Sequence, residues 1–447
     1  MRADPVGEIV EPARRRSFSR NVAITYGTQL GAAVLQFLNI LVVARTLGPT
    51  GRGEVALLTT IAILTSSIAT LGVEQANVNL ASTAPHIRRR LATNSLVLGL
   101  AFGALAAGLV AVLMLAVPSI AGSTPAGIRW ATLCVIPVLV LAIDLQLLLQ
   151  AEYRFGLTNV TFLLTPLVTL IVSVSLAAIG ELTVELVMLT WIWGHIATTI
   201  ILVWAVARLS AGFGAGDPHL ARQTVVFGVK SHAGRVMTLA NYRLDQWILA
   251  PLSGTREVGL YSVAVAWSEA LLFLPTALAA VQRPDLARES EESAAGQAVA
   301  VLRACIVVTL PLAIVMVAAA PFLCVAVFGE AFSGSVGDLR VLAFSGFGVI
   351  VLKLLGNALV AQGRPLRSTA GVAVAFVVTV ALDIALIPRF GGLGAAIAST
   401  AAYSAGGVAM AILFARAMRV PLISLVPRPG DVKVLWRRVR ALARREA

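Results

Sequence analysis

Between Phe227 and Ala264 the sequence reads FGVKSHAGRVMTLANYRLDQWILAPLSGTREVGLYSVA, an apolar run with charge inside it. Taken as helix from about Thr224, it sets Ser231, Arg235, Thr238, Tyr242 and Asp245 at steps of three and four, on one face. The opposite face is largely Val, Leu, Ala, Met and Ile. An arginine near mid-membrane costs at least ~2.5 kcal/mol even on lenient insertion scales. The stripe must therefore face other helices or a water-filled cavity. Its chemistry is anion binding by guanidinium and ion exchange by carboxylate.

A second polar stripe, Asn21, Thr25 and Thr28 with Gln36 and Asn39 a little further round, runs along the first apolar segment. Two readings stand for it, cavity lining and interhelical hydrogen bonding. Other ionisable groups inside apolar runs are Glu74, Asp144, His195, Arg243, Glu269, Lys353 and Asp383. Asp245, Glu269 and Asp383 are read as ion-coupling or charge-pairing groups. Asp144 is read as interfacial, Lys353 either as snorkelling to the interface or as facing inward, and His195 as a structural hydrogen-bonding group. There is no close His/Cys ligand spacing, Walker loop or GxSxG elbow, so no catalytic residue, metal or cofactor is expected and the chain does not read as an enzyme. Short loops leave no room for a nucleotide-binding domain. The energy for transport then comes from ion gradients, the membrane potential or downhill flow.

The elements that position these residues follow from composition. With 447 residues, 58% apolar and only 13% charged, the chain is an integral membrane protein. We expect an all-α fold of about twelve transmembrane helices in two parallel six-helix lobes around a central cavity. The divisions are a basic leader at 1–19, an N-lobe with spans 1–6 at 20–206, a linker at 207–223, a C-lobe with spans 7–12 at 224–418, and a basic tail at 419–447. With both termini inside, the inner loops and tails hold 26 Lys/Arg against 6 outside, which satisfies the positive-inside rule. The net charge of +13 is thus topology with a bias toward anionic lipid, and nucleic acid is not an expected partner. KVLWRRVRALARREA at the C-terminus reads as an interfacial amphipathic helix anchored by Trp436 or as a solvated basic tail. Cys134, Cys305 and Cys324 read as small buried hydrophobes. A weak repeat at an offset near 206 residues pairs RTLGPTGRGEVALLT with PLSGTREVGLYSVA, QAEYRFGLTN with AQGRPLRST, and AAIGELTVELV with IPRFGGLGAAI. The halves are parallel repeats about an axis along the membrane normal, which puts a substrate site between them.

Four stretches, ARTLGPTGRGEVALL (Ala44 to Leu58), LDQWILAPLSGTREVGLYSVA (Leu244 to Ala264), FGEAF (Phe328 to Phe332) and IPRFGGLGAAIAST (Ile387 to Thr400), carry a resemblance. The chain resembles the multidrug/oligosaccharidyl-lipid/polysaccharide export superfamily, and within it the polysaccharide-biosynthesis flippases for lipid-linked oligosaccharides. The resemblance implies V-shaped lobes alternately open to either side of a bacterial cytoplasmic membrane. It also implies a cavity lined by spans 1 and 7 and arginines that engage a lipid diphosphate. Arg235 matches that role first, with Arg45 and Arg243 second and Asn21, Thr25 and Tyr242 lining the same cavity. The implied partners are an undecaprenyl-diphosphate-linked oligosaccharide, membrane lipids and polysaccharide assembly proteins. The alternative is a cation-coupled multidrug exporter of the same superfamily. A membrane glycosyltransferase would need a sizeable outer loop, and none is long enough.

Overall fold

The computed structural model describes the backbone of residues 7–209, 212–428 and 430–431. It describes their side chains apart from those of 7–23, 231, 274, 277, 280, 281 and 283–285. The basic segment read as an amphipathic helix, from Lys433 onward, lies outside the described residues.

Among those residues the chain folds into twelve α-helices. They are α1 (Gly7–Ala69), α2 (Val73–Thr83), α3 (Arg88–Ala116), α4 (Ala126–Ala151), α5 (Phe155–Ala178), α6 (Val184–Leu209), α7 (Pro218–Ser253), α8 (Thr255–Ala270), α9 (Phe273–Leu286), α10 (Glu291–Pro321), α11 (Ser335–Ala361) and α12 (Pro365–Met418). Eight helical stretches are long and apolar enough to cross a membrane. Two of these are of double length. The 63-residue α1 breaks at Gly48 (φ 67°) and the 54-residue α12 at Gly391 (φ 56°), where the left-handed backbone suits glycine. Each covers two of the expected spans. The seventh expected span is α7, kept out of the apolar set by its own polar stripe. The eighth is the broken pair α8–α9, where Pro275 cannot donate a hydrogen bond back to the turn at Leu271.

The chain divides into two compact units. One comprises Thr65–Ala111, Trp130–Ser231 and the described part of Met1–Val42, and the other Val43–Leu64, Val112–Arg129 and the described part of His232–Ala447. Each turns large apolar side chains outward. Leu105 and Leu109 on α3 are 62% and 63% exposed, and Val315 on α10 is 62% exposed. Surfaces of this kind require hydrocarbon as solvent, and the protein is a multi-pass membrane protein.

In the first unit, Leu91 on α3, Leu145 and Leu148 on α4 and Leu202 and Val206 on α6 form one buried cluster. The segment before α7 is strapped to α3. Asn94 and Asp217 exchange side-chain-to-backbone hydrogen bonds, and Thr93 and Arg89 bond Gly214 and Phe213. Asp217 also caps α7, accepting from the Leu220 amide at 3.0 Å, and pairs with Arg90 at 3.2 Å. The cap, aided by Arg90, holds its carboxyl below the ordinary range. Asp144, read as interfacial, is fully buried within the protein on α4 against Gly99, and among the described residues neither carboxylate oxygen is bonded. His195 packs edge-on against Trp191 at 4.5 Å, and among the described residues its ring makes no hydrogen bond. Cys134 is exposed rather than buried, while Cys305 and Cys324 are buried as expected.

In the second unit, Leu302 on α10, Leu354, Leu355 and Leu359 on α11, and Met410 and Phe414 on α12 form the core. The two glycine motifs paired by the repeat pack directly on each other. A Cβ at Gly53 would lie 1.8 Å from the Thr255 carbonyl oxygen, and one at Gly259 would lie 1.8 Å from that of Pro49. Ser123 seals the same crossing, with hydrogen bonds to Glu54 at 2.6 Å and Thr255 at 2.7 Å. At the α12 break, Glu257 accepts from the Gly392 amide at 3.1 Å, which places a carboxylate on the positive end of the helix that starts there.

Gly259→Val has no side-chain motion that relieves its clash with backbone. It should cost at least about 3 kcal/mol and abolish the folded, monodisperse peak in detergent. Gly27→Ala, with nothing near its Cβ, should be neutral or stabilising by about 0.5–1 kcal/mol. Asp217→Asn should lower the midpoint of thermal unfolding at pH 7. A carboxyl held below its unfolded value of about 3.9 contributes above that value and loses its contribution as pH falls through the folded value. The gap between variant and wild type should therefore close below about pH 4.

Candidate functional site

The charged stripe on α7 meets two other helices, α8 and α12, inside the second unit. Asp245 is 3% exposed. One of its oxygens accepts from the Gln246 amide at 2.7 Å, and the other from the Tyr261 hydroxyl on α8 and from Ser399 on α12 at 3.2 Å. One turn back, Asn241 is tied to the same helix. Its side-chain oxygen accepts from Thr379 at 3.1 Å, and its backbone carbonyl from the Tyr403 hydroxyl. Asn241 and Asp245 are four residues apart on α7, as Thr379 and Asp383 are on α12, so the two pairs face each other like rungs. Asp383 is fully buried within the field of Asp245. Among the described residues neither of its oxygens has a hydrogen-bond partner.

Three solutions to buried charge are thus side by side. Arg243 and Glu269 form an ion pair at 2.9 Å, each about one-third exposed. Asp245 is solvated by two hydroxyls and an amide. Asp383 has no such shell. An ionised carboxylate without one costs several kcal/mol in an apolar interior, so a proton or a bound cation must neutralise it. Two carboxylates with nearby hydroxyl oxygens are hard ligands, suited to a proton or an alkali cation rather than a soft metal. Among the described residues no three His, Cys, Asp or Glu side chains cluster as a metal site.

The remaining residues named from sequence are more scattered. Arg235 is half-buried on α7, one turn before Thr238. Tyr242 lies 5.9 Å from Tyr403, ring to ring. Arg45 donates to the backbone carbonyls of Val327 at 2.7 Å and Ala326 at 2.9 Å. Those carbonyls end the wide π-helical turn Phe322–Ala326, so two of the five guanidinium donors are spent on backbone. In the first unit Thr25 accepts from Asn159 at 3.3 Å, the interhelical hydrogen bond that was one reading of that stripe. Asn21 lies among the residues whose side chains are not described.

Sequence reasoning missed Tyr261, Ser399, Thr379, Asn241 and Tyr403. The signal available was the four-residue spacing of Asn241–Asp245, Thr379–Asp383 and Ser399–Tyr403, three polar pairs each on one helical face.

A family profile described as polysaccharide biosynthesis protein matches residues 42–337. The chain belongs to the polysaccharide biosynthesis protein family. No match was found among curated proteins. The lipid II flippase MurJ, in an inward closed conformation, shares the fold with a TM-score of 0.73 at 11% identity, over 90% of this chain and 89% of that one. An inward-facing multidrug resistance MATE family transporter of the MOP superfamily gives 0.69 at 13% identity, over 87% and 94%. A MATE transporter of Vibrio cholerae gives 0.58 at 13%, over 90% and 98%. The fold is therefore the one seen in both MurJ and MATE proteins.

Asp383→Asn discards a carboxylate with no hydrogen bonds to lose and should leave stability nearly unchanged. Asp245→Asn breaks a satisfied acceptor shell and should cost about 1–3 kcal/mol in thermal or denaturant unfolding. A double-mutant cycle of Arg243→Gln and Glu269→Gln should return a coupling of about 1 kcal/mol, discounted because both groups are part-exposed.

Proposed function

We propose that this protein flips an undecaprenyl-diphosphate-linked oligosaccharide, a polysaccharide precursor, from the inner to the outer leaflet of a bacterial cytoplasmic membrane. The observation that carries the reading is membership of a polysaccharide biosynthesis family on the fold of a lipid flippase. Membrane lipids and polysaccharide assembly proteins are the partners it entails, and both termini lie on the cytoplasmic side by the positive-inside distribution of charge.

The chemistry fits a diphosphate cargo. Guanidinium forks pair with phosphate oxygens by charge and by parallel hydrogen bonds, and Arg235 is the residue assigned to that contact. Arg243, held by Glu269, and Arg45, with donors to spare, are secondary, while Asn21, Thr25 and Tyr242 supply neutral contacts. Two negative charges moving outward gain roughly 4–5 kcal/mol per 100 mV, inside negative, so the potential drives export without nucleotide. Asp245 and Asp383 bind the coupling proton or sodium ion, and alternating access carries the headgroup across while the prenyl tail stays in lipid. Glu269 holds Arg243 in place.

A second reading, a cation-coupled multidrug exporter, draws on the same carboxylate pair and on the likeness to MATE transporters. The arginines of α7 weigh against a cationic cargo.

Purified protein in liposomes should translocate a lipid-diphosphate oligosaccharide. Arg235→Ala should slow it by about tenfold or more, the worth of a charge-assisted contact. Asp383→Asn should retain downhill translocation and lose its response to an imposed proton or sodium gradient. Transport of cationic dyes with no flipping of the glycolipid would replace this reading with the drug exporter.

A further inference from the structure

The second unit contains a pocket of about 140 Å³, a mainly apolar wall set with a few polar groups, that is separate from the Asp245–Asp383 pair. Its walls come from α7, α11 and α12. Lys353, which as a snorkelling residue would point to the membrane surface, instead turns inward. Its ammonium donates to Thr276 on α9 at 2.9 Å and sits 5.5 Å from the centre of the Tyr242 ring. It makes no ion pair among the described residues. Glu269 acts on it electrostatically but is already neutralised by Arg243. An ammonium has three donors, so two remain.

Three more polar groups at this pocket are uncommitted: the Tyr242 hydroxyl, the Asn357 amide and the Ser368 hydroxyl make no hydrogen bond among the described residues. Tyr403 completes the wall with its ring, its own hydroxyl being spent on Asn241. Unused donors and acceptors beside an ammonium inside a membrane helix bundle have a cost unless a polar ligand or water meets them.

We propose that this pocket seats one acidic sugar residue of the transported glycan, a uronic acid or a sugar of equivalent charge. Two tyrosine rings offer faces for the C–H side of a pyranose. The amide and hydroxyls match its ring hydroxyls. The compact ammonium matches one carboxylate, where a diphosphate would call for forked guanidinium groups. The volume holds one ring and not a chain of them. The inference rests on the flippase reading for the source of the sugar, while the pocket's preference stands on its own residues.

Direct binding decides it. Radiolabelled glucuronate, glucose and inorganic phosphate are titrated against the purified full chain in detergent, with wild type, Lys353→Gln, Lys353→Arg and Asn357→Ala each shown to keep the wild-type thermal midpoint within a few degrees. Glucuronate should bind more tightly than either competitor. Lys353→Gln should weaken it by about tenfold or more, Lys353→Arg less, and Asn357→Ala by a few-fold. Equal binding of glucose and glucuronate, tighter binding of phosphate, no binding of glucuronate, or no effect of Lys353→Gln would each overturn the assignment. In liposomes Lys353→Gln should slow a uronate-bearing lipid-linked glycan and spare a neutral one. If wild type moves neither glycan the flippase reading fails, and the binding titration still decides the pocket.

Discussion

A charge inside a hydrocarbon-facing helix bundle persists only when something other than water stabilises it, and this constraint orders most of the second unit. The cost of leaving it unmet is several kcal/mol per ion, comparable to the whole stability of a domain. Arg243 meets it with Glu269, Arg45 with two backbone carbonyls, and Asp245 with Tyr261, Ser399 and its neighbour's amide. Each solution ties separate elements together. Asp383 has none of these. In the proposed reading a proton or cation from outside the protein neutralises it, which separates it from the groups above.

The helix breaks place these groups. α7 ends and α8 begins at Gly254, so Asp245 and Tyr261 come from opposite arms of one hairpin. The Gly53–Gly259 crossing then fixes α8 by backbone contact, with no side chain to adjust. On α12, Glu257 caps the segment that starts at Gly392 and sets the register in which Ser399 reaches Asp245 and Tyr403 reaches Asn241. Small residues at these points are positional. They let helices approach closely in a solvent where hydrophobic driving force between them is absent.

The sequence alone carried the helical class and the membrane, because periodicity and the cost of mid-membrane charge are local properties. It also flagged Asp245, Glu269, Arg243 and Asp383 as costly, since each sits within an apolar run. Which carboxylate takes which partner was not legible. Arg243 could have paired with Asp245, two residues on, yet the two point to different sides of the helix and Glu269 arrives from α8. Likewise Lys353 had two ways to satisfy its charge, and only the position of Thr276 on another helix turned it inward. The burial of Asp144 against the side-chain-free face of Gly99 was likewise not legible in its place along the helix. Tertiary partners on other helices decide such cases, and no spacing rule encodes them.

Consecutive residues of α7 serve the carboxylate pair and the pocket alike. Asn241 belongs to both: it lines the pocket, holds Thr379 one turn from Asp383, and accepts from the Tyr403 hydroxyl whose ring is a pocket wall. In the proposed reading, a cation or proton bound at Asp383 would neutralise a negative charge one turn from Thr379. A ligand entering the pocket presses on Tyr242 and Tyr403, which pack together at 5.9 Å. Any shift of Asn241 favoured by one event is felt by the other, and linkage requires the two binding free energies to change each other equally. If the two proposed sites are both occupied, coupling between them needs no long pathway. One amide side chain and one backbone carbonyl on a single helical turn suffice to join the two sites.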